Sequence, residues 1–307
     1  MEQQKIVVVG SSNTDMVLKS NHLPLPGETV LGGKFTMNPG GKGANQAVAA
    51  ARLQGDVIFI SRVGNDLFGK QAIKGFEKHG IDTRFITQDE KEASGVALIM
   101  VDEKGENSIS VALGANNTLG KNHLQPAKEA LKNSAFILTQ LETPLATVEY
   151  LGEFARENQL KLILNPAPAQ PLSDTLLASL HMLTPNEIEA ELLSGVKVVD
   201  ETSAMTAATI LRQKGVGIVI ITMGSQGAFV LSDELAELVP SQKVKVVDTT
   251  AAGDTFNGAL VVALSEGKDL KSAVEFANKA AAYAVGILGA QTSAPSRKDI
   301  EIPTKTE

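Results

Sequence analysis

Cysteine and tryptophan are both missing from the 307 residues, tyrosine occurs twice and histidine four times. Without cysteine there is no disulfide, thiolate nucleophile, thiolate zinc site or iron–sulfur cluster, which suits a reducing cytosol. The four histidines (His22, His79, His123, His181) are scattered among residues that account for them as turn or surface positions. An excess of basic charge is also missing: 28 Lys and Arg stand against 35 Asp and Glu, a formal net charge of −7. That balance argues against nucleic acid or an anionic membrane surface as the main partner. An anionic small molecule stays compatible, because backbone dipoles hold phosphate whatever the net charge. No run approaches the ~18–20 apolar residues that a bilayer crossing needs. The opening MEQQKIVVVG carries a short strand-like run and no long signal core. A soluble cytoplasmic protein is expected. The common catalytic fingerprints are absent as well. No Gly-Lys is followed by Ser or Thr, no G-x-G-x-x-G follows the first strand, and neither G-x-S-x-G nor H-E-x-x-H occurs. An NAD-linked dehydrogenase thereby loses its main support.

What is present is a steady alternation. Hydrophobic residues make up 43% of the chain, enough for a sizeable core. KIVVVG (5–10), DVIFIS (56–61), AFILTQL (135–141), LKLILNP (160–166) and VGIVIIT (216–222) read as buried strands. Helical stretches lie between them at 43–54, 69–80, 147–159 and 203–215. This order predicts an α/β fold, a doubly wound and mostly parallel sheet flanked by helices. Two segments break the rhythm: the Pro- and Gly-rich residues 14–39, and residues 95–113, which read as a hairpin around DEKGEN. Together they predict a small β-sheet lid or association surface; long surface loops are the plainer alternative. No linker or repeat divides the chain, so residues 1–307 are expected to form one domain.

The chemistry concentrates near the C-terminus. VKVVDTT (244–250) reads as a strand and GDTFNGALVVALSEG (253–267) as a helix with Phe256, Leu260 and Leu264 on one face. Between them, Ala251, Ala252 and Gly253 offer backbone N–H groups at a helix start, where small side chains let an anion approach. Asp254 has a plain alternative role, since an acid in the first turn favours a helix by about 0.3–1 kcal/mol. That role leaves Gly253 unexplained, because glycine weakens a helix by about 1 kcal/mol relative to alanine. A carboxylate beside an anion hole can take the proton of an attacking hydroxyl while the amides hold a phosphoryl group.

A second glycine loop, NPGGKGANQAVAAARL (38–53), also opens a helix, with Gly40, Gly41 and Gly43 exposing backbone and with Lys42 and Asn45 as donors. Asn13 and Asp15, two apart after the first strand, point the same way in an extended chain. Taken singly these are turn residues or solvated charges; as a cluster they suit a polyhydroxylated ligand. In TPNEIEAELLSG (184–195), Thr184 and Glu187 read as a capping box around Pro185. Asn186 and Glu189 are left over, three apart on one helix face, either to hold metal-bound water or to stand in solvent.

GGKGANQA and DTTAAGDTFNGAL, with NPAPA (165–169), TPNEIEAE and TMGSQG (222–227) between them in order, resemble the ribokinase-type (PfkB) carbohydrate kinases over essentially the whole chain. The resemblance implies a ribokinase-like fold whose β-lid often builds a homodimer. It implies ATP-dependent transfer of the γ-phosphoryl group to a sugar hydroxyl, best the 5-hydroxyl of D-ribose, with Asp254 as base and Ala251, Ala252 and Gly253 as anion hole. Asn13, Asp15, Gly41, Lys42, Gly43, Asn45, Glu142 and Asp254 match sugar-contacting positions. Asn186, Thr222, Gly224, Ser225, Gly227, Gly253 and Asn278 match nucleotide-binding positions, with Glu189 in the motif linked to Mg²⁺ and phosphate. A K⁺ site would use Asp248, Thr250, Ala284, Ile287, Gly289 and Ser293. The chain departs from the pattern twice: Ala251 stands where Gly is commoner, and Asn278 where histidine can meet the adenine. Rival readings are a kinase for 2-deoxyribose, another sugar or a nucleoside and, from another class, a catalytically idle sugar sensor.

Overall fold

The computed structural model describes residues 4–301. Thirteen strands are found there: β1 (Lys5–Val9), β2 (Asn13–Lys19), β3 (Lys34–Gly40), β4 (Asp56–Gly64), β5 (Ile86–Asp89), β6 (Gly95–Val101), β7 (Asn107–Ala112), β8 (Phe136–Thr139), β9 (Leu162–Leu164), β10 (Met182–Leu183), β11 (Ile218–Thr222), β12 (Ala228–Leu231) and β13 (Ala236–Val239). Nine of them form one sheet in the order β13-β12-β11-β10-β9-β8-β1-β4-β5. Pairing is parallel from β11 to β5, and β12 joins antiparallel at the other edge.

The reason lies in the strand sequences. Ile6, Val7, Val8 and Val9 are all fully buried, so β1 has no solvent face. Side chains alternate across a strand, and the two sets enter different cores. Val7 and Val9 enter one core, which is shared with Val148 and Leu151 of the helix Leu145–Glu157 and extends to Ala204, Ala207, Ala208 and Leu211 of the helix Glu201–Gln213. Ile6 and Val8 pack with the helices Lys42–Arg52, Ala252–Ser265 and Leu270–Ala284. Helices on both faces are what a near-continuous apolar strand requires.

The two segments that break the alternation pair as expected. They form a separate sheet, β3-β2-β6-β7, with β2 and β6 parallel and the outer pairs antiparallel. One row of it carries Met37, Met16 and Leu98; the next carries Asn38, Asp15, Ala97 and Val111. Phe35, Met37 and Leu98 on the first face are more than half exposed.

Two expectations fail. Residues 244–250 form no strand, and Val244, Val246 and Val247 are largely exposed. Among the described residues this β-branched run pairs with no strand of either sheet. Its backbone is tied instead to the end of the Leu270–Ala284 helix, Val247 and Asp248 both donating to the carbonyl of Val285 at 2.7 and 3.1 Å. The capping box is also shifted. The helix begins at Glu187, capped by Asn186 with Glu189 reciprocating, while the Thr184 hydroxyl is turned inward and donates to Asn257 Oδ1 at 2.7 Å.

Close packing fixes how near the two loop-bearing helices lie. A Cβ on Gly258 would lie 2.8 Å from both Ala49 Cβ and the carbonyl oxygen of Gln46. Gly258 therefore lets the Ala252–Ser265 helix press against Lys42–Arg52. Overpacking costs ~1–3 kcal/mol, partly offset by the ~1 kcal/mol helix gain of alanine. Gly258→Ala is expected to lower stability by up to about 2 kcal/mol in urea titrations.

Candidate active site

Parallel strands deliver their loops to one edge, and ligands of such sheets bind beyond the carboxyl ends. Here β1 leads to Ser11 and Asn13, β8 to Gln140 and Glu142, β9 to Asn165, β10 to Thr184 and Asn186, and β11 ends on Thr222. The order β11-β10-β9-β8-β1 sets these residues side by side.

Asp254 lies over the middle of this edge, in the first turn of Ala252–Ser265, and is buried. Asn45 Nδ2 donates to its Oδ2 and Gln46 Nε2 to its Oδ1, both at 3.0 Å. Both carboxylate oxygens are thereby held in place by amide donors. Beneath it, the chain enters the helix through Ala251, whose φ of 58° is left-handed. That conformation explains why glycine is commoner at this position, since it strains an L-residue by about 1–2 kcal/mol. The Ala252 amide is bonded to the Thr249 carbonyl at 3.2 Å, whereas the amides of Gly253 and Asp254 have no partner among the described residues. A Cβ on Gly253 would meet nothing within 4 Å. Packing does not demand this glycine. The open space in front of it does, if an anion is to reach the amides.

The glycine loop at 38–43 is built by contact. Gly41 has φ 90°, and a Cβ there would lie 2.7 Å from the Asn13 nitrogen. On Gly43 a Cβ would lie 2.6 Å from the Ser11 nitrogen. Glu142 Oε2 accepts from Ser11 Oγ at 2.6 Å and from the Lys42 amide at 2.9 Å, which pins this loop to the β8 side. Asp15 Oδ2 comes to 2.2 Å of where a Gly40 Cβ would be, so glycine leaves its carboxylate room. Asn13 Oδ1 accepts from Asn116 Nδ2 at 2.7 Å, and Asn116 Oδ1 in turn holds the Ser12 amide. Asn45 Oδ1 is buried with no partner among the described residues, an acceptor beside Asp254.

The charges interact. Burial, aided by Glu142 and Asp254, pushes the Asp15 carboxyl up to about 6. Burial opposes the Lys42 ammonium, but Asp254, Glu142 and Glu189 outweigh it and hold its pKa above the usual lysine value. Glu189 is raised, chiefly by burial. For Asp15 the raised folded pKa means that the folded state binds this proton more tightly than the unfolded chain. The ionised group therefore costs stability above pH ~6 and nothing below ~4. Asp15→Asn is expected to be more thermostable than the parent at pH 7, with the difference vanishing as pH falls to 4. Equal melting temperatures at pH 7 would contradict the burial account.

Two cavities meet at the helix start. The smaller, about 210 Å³, is lined by Lys42, Asn165, Glu189, Ala251, Asp254 and Asn257 among others. The larger, about 800 Å³, is lined by Gly224, Ser225, Gly227, Val244, Val246 and Asn278 among others. Asn186, Thr222, Thr249, Ala252 and Gly253 border both. Gly227 has φ 113°, and a Cβ there would strike the Val239 carbonyl at 2.1 Å. Asn278 uses its amide on that same segment, donating to the Val239 carbonyl at 2.9 Å. A small polar chamber with a buried carboxylate thus opens, across a pair of free amides, into a larger and more apolar one. Such a pair suits a hydroxyl acceptor on one side and an anionic donor on the other.

The pfkB carbohydrate kinase family model matches residues 3–297. The chain belongs to the pfkB family of carbohydrate kinases. It is 45% identical over 297 residues to a ribokinase of Haemophilus influenzae, covering 97% of each chain. A deoxyribokinase of Salmonella typhi is 37% identical over 292 residues, covering 95% of each. The solved structure of Arabidopsis thaliana ribokinase complexed with ribose and ATP superposes with a TM-score of 0.90 at 30% identity, covering 98% of each chain. As a pfkB member the protein is a carbohydrate kinase with a ribokinase-like fold.

Asn186, Thr222, Gly224, Ser225, Gly227 and Asn278 line the larger cavity and Lys42, Glu189, Ala251 and Asp254 the smaller, whereas Asn13, Asp15, Gly41, Gly43, Asn45 and Glu142 line neither. Asp248 lies to one side, its Oδ1 accepting from the Thr250 amide and its Oδ2 from the Gly289 amide, both at 2.9 Å. Hydrogen bonds hold its carboxyl below the usual range although burial opposes them. None of the four histidines lines either cavity. Gln46, Asn165 and Asn257 sit inside the quoted motifs, yet nothing local marks them individually as site residues, and neither are Ser11, Asn116 and Gln140 marked. Nothing but a fold that brings distant loops together gives them a role.

Proposed function

We propose that this kinase transfers the γ-phosphoryl group of ATP to the 5-hydroxyl of D-ribose, giving D-ribose 5-phosphate. The observation that carries the reading is the buried Asp254 carboxylate in the smaller cavity, beside the unpaired Gly253 and Asp254 amides where that cavity meets the larger one. Asp254 takes the hydroxyl proton, and the oxygen attacks the phosphorus in line as the bond to the ADP oxygen breaks. Phosphoryl transfer needs positioning and charge stabilisation more than covalent help. The amides of Gly253 and Asp254, with Lys42 facing them, supply that stabilisation; Ala251 and Ala252 shape the loop.

Sugar binding falls to Asn13, Asp15, Lys42, Asn45 and Glu142, with Gly41 and Gly43 keeping the backbone close. Asn45 Oδ1, buried without a partner among the described residues, suits a sugar hydroxyl as donor. Nucleotide binding falls to Asn186, Thr222, Gly224, Ser225, Gly227 and Asn278 around the larger cavity. Glu189, raised by burial and facing Lys42 and Asp254, suits a water shell around Mg²⁺, which when bound neutralises charge on the β- and γ-phosphates. Asp248 and Thr250 approach the 284–293 turn, a set of one carboxylate, hydroxyls and backbone carbonyls that suits K⁺. That cation would steady the loop leading to Ala251.

The small sheet acts as the lid of a single 1–307 unit, its Asp15 row toward the sugar. Its other face, with Phe35, Met37 and Leu98 exposed, supports a homodimer through the lid. A reaction that consumes ATP fits a cytoplasmic enzyme, and among the described residues no helix is long and apolar enough to cross a membrane. The 37% identity to a deoxyribokinase keeps 2-deoxyribose as the second substrate to try. ADP release with Mg²⁺ and ATP, across ribose, 2-deoxyribose, fructose and adenosine in K⁺ or Na⁺, decides. Ribose should give the highest kcat/KM and require K⁺. A higher value on another substrate would keep the chemistry and move the specificity; sugar binding with no turnover on any would leave an idle sensor.

A further inference from the structure

Behind Asp254 runs a chain of buried amides that the phosphoryl-transfer scheme does not use. Gln46 is fully buried, and its Nε2 serves two acceptors, Asp254 Oδ1 at 3.0 Å and Asn165 Oδ1 at 3.1 Å. Gln46 Oε1 accepts from Gln140 Nε2 at 2.5 Å. Asn165 Nδ2 donates to the backbone carbonyl of Thr184 at 3.0 Å. Thr184 in turn reaches the anion loop, its hydroxyl donating to Asn257 Oδ1 and Asn257 Nδ2 donating to the Gly253 carbonyl at 2.8 Å.

The direction of these bonds is fixed from one end. A backbone carbonyl only accepts, so Asn165 must turn its NH₂ to Thr184 and its oxygen to Gln46. Gln46 must then present NH₂ to both Asn165 and Asp254, and its oxygen to Gln140. Gln140 complies although its own Oε1 is left buried without a partner. The chain keeps its polarity at the expense of an unsatisfied acceptor.

We infer that Gln46, oriented by Asn165 and Gln140, is a positioning residue that aims the Asp254 carboxylate for proton abstraction. The inference rests on Asp254 being the base. The other charged groups facing Asp254 stay unchanged when Gln46 is altered: Lys42 on the helix of Gln46, Asp15 on β2 and Glu189 on the helix Glu187–Ser194, with Glu142 beside Lys42 and Asp15. Losing one amide donor raises a carboxylate pKa. Placing a second carboxyl there separates the two titrations further.

The test compares the pH profile of kcat/KM for sugar in the parent, Gln46→Met, Gln46→Glu and Asn165→Ala, with melting temperature recorded for each. Gln46→Met should move the acidic limb up by about one pH unit and lower kcat at least tenfold, with the ATP KM changed less than threefold. Gln46→Glu, which retains size and polarity if the apolar variant folds poorly, should move the limb further. Asn165→Ala should move it less, in the same direction. Melting temperatures that fall while the acidic limb stays where it is in both Gln46 variants would reduce Gln46 to a packing role and overturn the inference. A parent chain that phosphorylates no sugar would overturn the functional reading itself, and the inference with it. The two failures are thereby distinguishable.

Discussion

Asp254→Asn will fold, bind sugar and turn over about 10²–10⁴-fold more slowly, the range a positioned general base contributes. The variant should tolerate the change because one neighbour can adapt. Asn45 and Gln46 both donate to Asp254, so an asparagine there would set its NH₂ against one donor. Gln46 cannot turn, since Asn165 and Gln140 fix it. Asn45 can, because its Oδ1 has no partner among the described residues and becomes the acceptor after a flip. The variant therefore avoids the ~1–3 kcal/mol of a buried unsatisfied donor. The same flip turns an NH₂ toward the sugar, so the sugar KM should rise severalfold while ATP binding stays. Steady-state kinetics with calorimetric sugar binding reads all three. A kcat within tenfold of the parent would remove Asp254 as base.

Lys42→Met should cost about 10²–10³ in kcat/KM, comparable to removing one preorganised charge or donor from a transition-state site. Lys42 is the cation that Asp254, Glu142 and Glu189 share. Without it, three carboxylates face the incoming phosphates. The acidic limb of the pH profile should move up, because a cation that stabilises nearby carboxylate charge is gone. Lys42→Arg should recover part of the rate, since the charge returns on a bulkier head. A Lys42→Met enzyme losing less than tenfold, with its pH profile unmoved, would show that the ammonium only fills space.

The sheet could be read from sequence because β1, β4, β8, β9 and β11 are buried on both faces and their apolar runs need no alternation to stand out. The lid could be read for the opposite reason, as two segments that fit neither helix nor buried strand. Residues 244–250 defeated the same logic. A run of valines looks like a strand whether or not an edge awaits it, and here two of those valines line the larger cavity. Thr184 misled for a related reason. Two residues on, Asn186 can cap equally well, and the choice between them was made by Asn257, 73 residues away.

The site divides in the same manner. Asp254, the glycine loops and Asn186 sit at helix starts, where local chemistry marks them. The amides that aim Asp254 carry no local mark. Gln46 is one helical residue among alanines and lies 208 positions from the carboxylate it holds. Only the close contact at Gly258 brings the two helices near enough, and a lone glycine in a helix does not say what it faces.

The most direct test of the central claim, that Asp254 and the free amides together direct phosphate onto the 5-hydroxyl, is ³¹P–¹H NMR of the product formed from D-ribose and ATP. One phosphomonoester coupled to the two C5 protons is the predicted result, with an equal yield of ADP. Phosphate at another carbon, or inorganic phosphate released without a sugar product, would contradict it.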